Sequence, residues 1–220
     1  MKTISILKSA VWVSTVSMLL FACSKGDNNT PKPPPQNSEI IYETDFKNDD
    51  GMWYVGQGAR YKDGHYELEG GDLTNYTYLT NVFKSSDIDP TIEATIKVSV
   101  NDEENWGSGG IVWNYKSNGS AYSYLVFDIS HDGYVGLSGY SSKTARWTDL
   151  VDWSLNSNVR KESFNTLKIV YKVDKIHFYV NGTEVFTVPA VDDVDLDPAG
   201  LYANAHSDLS ATLFRAYKKK

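Results

Sequence analysis

The 220-residue sequence lacks several residue types and motifs that would indicate particular chemistries. It contains a single cysteine, Cys23, so no disulfide can form within the chain. It has no Gly-x-Ser-x-Gly nucleophile elbow and no Gly-x-x-x-x-Gly-Lys-Ser/Thr phosphate loop. Its four histidines are scattered, without His-x-His or His-Glu-x-x-His spacing, so the sequence gives no support for a zinc site. They are His65, His131, His177 and His206.

Positive charge is also scarce. The chain has 21 Lys and Arg residues against 28 Asp and Glu residues, a net charge of −7. Nucleic acid and anionic membrane surfaces require clustered Lys and Arg, and the basic run Lys218–Lys220 is a chain end. We therefore expect no nucleic-acid partner.

The N-terminus has the composition of an export signal. Lys2 and Lys8 flank a short basic start, and Ser9–Phe21 follows with 13 uncharged residues, too few for a membrane-spanning helix of roughly 20. Leu20-Phe21-Ala22-Cys23 resembles the lipobox of bacterial lipoproteins. That resemblance implies a signal peptide over residues 1–22, lipid attachment at Cys23 and location in the cell envelope. Ser24 is not the aspartate of inner-membrane retention, so the outer membrane is favoured, and the membrane face stays open.

Residues 23–37 form a spacer in this interpretation. Ser24–Asn29 carries no apolar side chain, and four prolines follow between Pro31 and Pro35. Proline-rich segments favour an extended, semi-rigid conformation. The predicted organisation is thus a signal peptide (1–22), a lipidated cysteine with a flexible tether (23–37), and one folded domain (38–220).

The domain has the pattern of an all-β protein. Thr91–Val100 alternates apolar and polar residues, which predicts a strand with Ile92, Ala94, Ile96 and Val98 on its buried face. Leu167–Val173 alternates likewise and predicts Val173 as buried. Asn181-Gly182 and Asp63-Gly64 lie between such runs and favour tight hairpin turns. Because convincing helical periodicity is missing, we predict a two-sheet antiparallel β-sandwich.

A family resemblance supports this architecture. Gly109–Trp113, Tyr122–Ile129 and the hairpin Asn165–Gly182 resemble concanavalin A-like lectin/glucanase domains, including laminin G-like members. With Asp45-Phe46 and Gly200-Leu201-Tyr202, the similarity covers roughly residues 40–217. It implies a jelly roll of two antiparallel sheets, often with a glycan-binding face. These motifs consist of strand and turn residues, so they imply no activity.

The sequence gives little support for the catalytic motif of this superfamily. Its retaining glucanases place carboxylates on one strand as Glu-x-Asp-x-Glu, and the sequence has no such string. Glu67-Leu68-Glu69 is an i, i+2 acid pair that ends at Gly70-Gly71. Asp193-Val194-Asp195-Leu196-Asp197 has the spacing but precedes Pro198. We therefore expect no catalysis by that mechanism, with acids from separate strands as the open alternative.

Calcium is a second property that the resemblance implies. Relatives hold a structural calcium with an early Asp, which Asp45 matches, and with a late Asp beside a Phe. Here Arg215 follows Phe214 at that place, which weakens the prediction. We expect no cofactor other than this weakly supported ion.

Loop aromatics suggest where a ligand would bind. Sugars stack their C–H faces on Trp or Tyr, and polar neighbours bind the hydroxyls. The candidates are Trp106, Trp147, Trp153, Asn105 and Asp149, whereas Trp53 and Trp113 are predicted to be core. The expectation is a lipid-anchored, non-catalytic domain that binds carbohydrate or another extracellular polymer. Two alternatives are a glycoside hydrolase or lyase with dispersed carboxylates, and a protein-binding scaffold or adhesin.

Overall fold

A computed structural model describes residues 32–100 and 106–220 of the chain. Their regular secondary structure is β. The first seven strands are β1 (Ser38–Thr44), β2 (Ala59–Lys62), β3 (His65–Gly70), β4 (Asn75–Leu79), β5 (Ile88–Val100), β6 (Ser108–Asn118) and β7 (Ala121–Ser130). The remaining strands are β8 (Tyr134–Ser141), β9 (Arg146–Leu155), β10 (Asn165–Tyr171), β11 (Lys175–Val180), β12 (Thr183–Pro189), β13 (Ala199–Ala203) and β14 (Ser207–Lys219).

The strands form two antiparallel sheets. The eight-stranded sheet has the order β12-β11-β10-β5-β14-β3-β2, and β1 pairs with the second half of β14. The six-stranded sheet has the order β4-β13-β6-β7-β8-β9. This arrangement confirms the predicted all-β jelly-roll sandwich.

The main hydrophobic core lies between the two sheets. Ile92, Ala94, Ile96 and Val98 of β5 are buried, as their alternation predicts. Trp113 is also fully enclosed in this core, and Trp53 is buried with it. Burying a large apolar side chain contributes roughly 1.5–3 kcal/mol, so this layer supplies most of the driving force for folding.

The predicted turns occur where the sequence places them. Asn181 and Gly182 have φ angles of 52° and 83°, and Asp63 and Gly64 have 52° and 76°. These left-handed conformations suit Asn, Asp and Gly in two-residue hairpins. The prediction for Val173 is wrong: β10 ends at Tyr171, and Val173 is 96% exposed in the following turn.

Residues of the six-stranded sheet that point away from the core form a second, smaller apolar cluster. Its buried members are Val112, Tyr124, Val126 and Tyr202. Because side chains alternate along a strand, Ile111, Phe127 and their equivalents fill the main core while this cluster lies on the opposite face. We call that opposite face the outer face of the six-stranded sheet.

The N-terminal predictions concern residues that the structure largely leaves undescribed. The signal peptide and Cys23 lie outside the described residues, and the described end of the tether, residues 32–37, contains no strand. Within the described part of the chain, we find no helix with the length and hydrophobicity needed to cross a membrane. Lipidation and outer-membrane location therefore stay predictions.

Candidate functional site

A small polar pocket lies on the outer face of the six-stranded sheet. Its floor contains Asp128 of β7, which pairs with Gly110 of β6 on one side and with Gly136 of β8 on the other. The nine residues that line this pocket, hereafter the Asp128 pocket, are Trp106, Ser108, Asp128, Ser138, Trp147, Asp149, Trp153, Tyr202 and Asn204.

Both glycines beside Asp128 are required by close packing. A Cβ atom at Gly110 would lie 2.8 Å from the Cβ of Asp128, and one at Gly136 would lie 2.8 Å from Cδ2 of Trp153. A larger residue would clash with the β7 backbone and Asp128 at position 110 and with the Trp153 ring at position 136. The absence of two side chains thus leaves room for Asp128 and lets Trp153 lie against the sheet.

Asp128 is a buried acid without a cationic partner in the pocket lining. It is 4% exposed, its Oδ2 accepts a hydrogen bond from the Ser108 hydroxyl at 2.9 Å, and its Oδ1 has no hydrogen-bond partner among the described residues. Burial raises the pKa of Asp128 well above its ordinary value, and the charge of Asp149 raises that pKa further, whereas the Ser108 hydrogen bond lowers it. Because burial is the largest effect, the protonated carboxyl group is favoured.

Asp149 supplies a second carboxylate in a different environment. It lies on β9, is exposed to solvent, and accepts a hydrogen bond of 3.0 Å from the Ser138 hydroxyl. Ser138 pairs directly with Asp149 across β8 and β9. The pocket therefore combines one buried, protonatable acid with one solvated acid, which is the arrangement that separates acid and base roles.

Two irregularities in β9 determine which of its side chains reach the pocket. The β8–β9 register shifts between Val135 and Leu137 and again between Leu137 and Ser138. Between these shifts, Val151 pairs with Leu137 and packs against the main core. β-Bulges re-aim side chains in this way. As a result, residues 147, 149 and 153 all line the pocket although residue 151 packs against the core.

The structure brings four of the five predicted ligand-binding residues together. Trp106, Trp147, Trp153 and Asp149 all line the Asp128 pocket, and Asn105 lies outside the described residues. The Trp106 and Trp153 rings pack edge to face with centroids 4.6 Å apart. Trp106 and Trp147 remain 44% and 41% exposed, so their rings are available to a ligand.

Asp128, at the centre of this site, is not among the ligand-binding residues predicted from the sequence. It lies in the run Tyr122–Ile129, whose resemblance to concanavalin A-like domains concerns strand residues. The sequence does contain one indication of Asp128: it is a single acid within a run of apolar and aromatic residues. An Asp side chain is almost never fully buried unless it is paired, so an acid in such a run is a candidate for a functional role. Ser108, Ser138, Tyr202 and Asn204 gave no comparable indication.

The acid pairs singled out by spacing have structural contacts instead. Glu67 and Glu69 both form ion pairs with Arg60, at 2.7 and 2.5 Å. Asp197 accepts hydrogen bonds from the backbone N–H groups of Asn81 and Val82. These contacts account for Glu67, Glu69 and Asp197 without invoking catalysis.

The residues at the expected calcium position do not fit an oxygen-ligand site. Asp45 is exposed and forms an ion pair with Lys47 at 2.6 Å. Arg215 is buried and pairs with Glu93, so a cation already occupies the place of the second aspartate. Within the described ranges, no group of three or more His, Cys, Asp or Glu side chains could hold a metal ion. Calcium dependence stays an untested prediction.

Comparison with known proteins identifies the fold. No family model and no curated protein sequence matches the chain. Among solved structures, the catalytic domain of an endo-1,3-β-glucanase (laminarinase) from Thermotoga petrophila has a TM-score of 0.58 and 11% identity, covering 83% of this chain and 98% of that one. The κ-carrageenase of Pseudoalteromonas carrageenovora, solved with a carrageenan oligotetrasaccharide, has a TM-score of 0.58 and 12% identity, covering 86% and 98%.

A third similar structure is described as an immunostimulatory antigen and pseudo β-1,3-glucanase of Mycobacterium tuberculosis. It has a TM-score of 0.53 and 10% identity, covering 82% of this chain and 99% of that one. At such identities the likeness shows the fold, the jelly roll of these glucanases and carrageenases.

These matches correct the expected function. We expected a non-catalytic polymer-binding domain, and that expectation is wrong, because the structural neighbours include laminarinases and a carrageenase, which are glycoside hydrolases. Of the expectations stated above, they agree better with the alternative of a glycoside hydrolase. The sequence has no Glu-x-Asp-x-Glu string, and the two carboxyl groups of the Asp128 pocket lie on different strands.

Proposed function

We propose that this protein is a glycoside hydrolase in which Asp128 and Asp149 are the catalytic carboxylates. The observation that supports this most directly is the buried Asp128 carboxyl, with one oxygen lacking a partner among the described residues, in a pocket shared with Asp149 and three tryptophans. A buried acid with a raised pKa can donate a proton at neutral pH.

In the proposed reaction, Asp128 is the general acid. Its carboxyl proton passes to the glycosidic oxygen as the bond from that oxygen to the anomeric carbon breaks. The Ser108 hydroxyl donates to Oδ2 of Asp128, so the transferable proton is placed on Oδ1, which is buried and has no partner among the described residues. Asp149 is the general base: it takes a proton from the water molecule that attacks the anomeric carbon, and the Ser138 hydrogen bond orients it.

The placement of the two acids favours inversion of the anomeric configuration. Asp149 lies two strands from Asp128, and its partner Ser138 is two residues from Gly136, the partner of Asp128. With about 4.8 Å between strands and about 3.3 Å per residue, the Cα atoms are roughly 12 Å apart in a flat sheet. Short side chains on one face suit the separation of roughly 6.5–9.5 Å used by inverting enzymes better than the 5–5.5 Å of retaining ones.

The residues that line the pocket favour an uncharged sugar as the substrate. They also favour hydrolysis over elimination as the reaction. None of the nine residues that line the Asp128 pocket is Lys, Arg or His. Sulfated or uronic sugars bring negative charge beside two carboxyl groups, which is unfavourable without a cation. Elimination from a uronic acid also requires neutralisation of its carboxylate, so this pocket suits a neutral glycan.

The experiment that tests this proposal measures reducing-end release from neutral glycans, with sulfated carrageenan as the charged comparison. Asp128→Asn and Asp149→Asn are each expected to lower the rate by about 10²–10⁴-fold. Asp152→Asn is the matched control, because Asp152 is an exposed acid of the same strand that does not line the pocket. Equal activity in all three variants would contradict the proposal, and inactivity of the wild type would group the chain with the pseudo-glucanase.

We further propose that Cys23 is lipidated and that residues 23–37 tether this hydrolase to the outer membrane. The lipobox resemblance and the proline-rich composition support this proposal. Cys23→Ser is expected to move the protein from the membrane fraction to the soluble fraction of cells. Retention of the variant in membranes would argue against the anchor.

A further inference from the structure

An aromatic barrier closes one side of the Asp128 pocket. Trp147 of β9 and Tyr202 of β13 have ring centroids 5.9 Å apart, although β6, β7 and β8 lie between their strands. Four strand spacings correspond to about 19 Å in a flat sheet, so the two side chains extend towards each other over the sheet. Tyr124 contacts both rings, at 5.8 and 6.5 Å. We call these three residues the aromatic bar.

The bar seals the sheet surface beneath it. Val112 and Val126, which lie on the same outer face, are 0% exposed. Tyr124 and Tyr202 are themselves 3% and 2% exposed. A sugar ring therefore cannot rest on this part of the sheet unless the aromatic side chains move, which would expose the apolar area that they bury.

The surface beyond the bar is also filled by side chains. Five partly buried tyrosines pack there against the same cluster: Tyr76, Tyr78, Tyr115, Tyr122 and Tyr140. Tyr78 and Tyr115 stack with centroids 4.6 Å apart, and Tyr122 and Tyr124 are nearly parallel at 6.3 Å. This layer of rings continues from the bar over the described part of the outer face, and a separate cavity of about 310 Å³ lies at its side, lined in part by Tyr124, Tyr140 and Arg146.

The Asp128 pocket itself is small. It measures about 150 Å³, whereas sites for drug-sized ligands typically measure about 300–1,000 Å³. That space suits one sugar ring, with the exposed Trp106 beside it.

We propose that the site receives the terminal residue of a neutral glycan and removes single sugars from chain ends, rather than cutting within chains. This inference rests on the proposed hydrolase function and specifies its substrate. The aromatic bar makes the binding site a pocket with one blocked side, and an internal segment of a polymer would have to pass through the bar. The laminarinase that shares the fold is, by contrast, described as endo-acting.

The test follows early products from neutral polysaccharides and oligosaccharides by chromatography. Wild-type protein is expected to release monosaccharide alone while the polymer keeps its length. Trp147→Ala removes part of the bar and is expected to add internal cleavage, seen as oligosaccharides of several sizes. Tyr78→Ala is the matched control, because it removes an aromatic ring of the same face at the sheet edge, away from the bar.

A binding measurement gives a second readout that does not need turnover. For Asp128→Asn, titration with oligosaccharides of increasing length is expected to show affinity changing by less than about threefold beyond the disaccharide. A mixture of oligosaccharides from wild-type protein, or affinity that rises with every added sugar, would overturn end-specific action and leave hydrolysis intact. The absence of any product or binding would overturn the hydrolase proposal itself.

Discussion

Each sheet has a buried acid on the face that points away from the main core, and the two acids have different partners. On the eight-stranded sheet, Glu93 is 7% exposed and pairs with the buried Arg215. On the six-stranded sheet, Asp128 is 4% exposed and has a serine hydroxyl as its hydrogen-bond partner. The pKa is raised for both acids, mainly by burial, but Arg215 opposes the shift for Glu93, whereas Asp149 adds to it for Asp128.

Because of this difference, we expect Glu93 to stabilise the fold and Asp128 to destabilise it. A buried carboxylate with a cation and hydrogen bonds is compensated, and removal of either partner leaves an unpaired charge. A buried carboxyl that is not neutralised by a cation favours its protonated form, which suits proton donation. The two faces therefore allow a direct experimental comparison.

The largest effect is expected for Glu93→Ala. This change leaves the Arg215 guanidinium buried with the more distant Glu43 at 3.4 Å, so the free energy of unfolding should fall by about 3 kcal/mol. The hydrolytic rate of the folded protein should be unchanged, because Glu93 lies on the other sheet. Denaturant titration combined with the activity assay measures both effects, and a variant with native stability would contradict this account of the ion pair.

Asp128→Asn should have the opposite outcome, with lost activity and increased stability. Below the ordinary Asp pKa, the folded and unfolded chains are both protonated at this position and the burial of Asp128 carries no ionisation penalty. As pH rises, the unfolded chain ionises first, so the folded state loses stability until pH passes its raised pKa. Asn cannot ionise, and the gain at neutral pH should be about 1–2 kcal/mol.

Thermal unfolding between pH 4 and pH 8 measures this effect. The wild-type midpoint should fall relative to that of Asp128→Asn across the range, and the two should converge at the acid end. A constant difference at every pH would show that ionisation of Asp128 is not its cause. Asp152→Asn again serves as the control.

Ser108→Ala should shift the pH dependence of catalysis. The Ser108 hydrogen bond lowers the pKa of Asp128, so its removal should raise that pKa and move the alkaline limb of the activity profile to higher pH. A merely structural serine would change the rate without moving the limb. The pH profile of kcat distinguishes these outcomes.

The smallest effect is expected for Arg60→Ala on the eight-stranded sheet. Arg60 pairs with Glu67 and Glu69, but these groups are substantially exposed to water. Exposed ion pairs contribute about 0–1 kcal/mol, and less at high salt. A loss comparable to that of Glu93→Ala would remove the distinction between buried and exposed pairs on this sheet.

Much of the fold was predictable because its determinants are local. The alternation in Thr91–Val100 and the Asn181-Gly182 turn each specify a strand or hairpin without reference to the rest of the chain. Val173 continued an apolar alternation but lies beyond the last paired residue of β10, since β10–β11 pairing ends at Tyr171 and Ile176. Strand ends depend on pairing partners, which periodicity does not contain.

The site was predictable only in part, for a related reason. Tryptophans in polar segments indicated Trp106, Trp147 and Trp153, and these residues share one pocket. Asp128 lies among apolar neighbours in its strand and therefore resembles a structural residue. Its proximity to Asp149 depends on the pairing of β7, β8 and β9. The bulges that aim residues 147, 149 and 153 into one pocket are tertiary features.

The same bulges also affect the outer edge of the six-stranded sheet. β9 is the last strand in the order of that sheet, so one of its edges has no neighbouring strand there among the described residues. Long, regular edge strands invite pairing with the edge of another molecule, and bulges and charged side chains disrupt that pairing. β9 is ten residues long, has two register shifts on its paired side, and contains Arg146, Asp149 and Asp152. The irregularity that shapes the pocket thus also makes the β9 edge a poor template for edge-to-edge pairing.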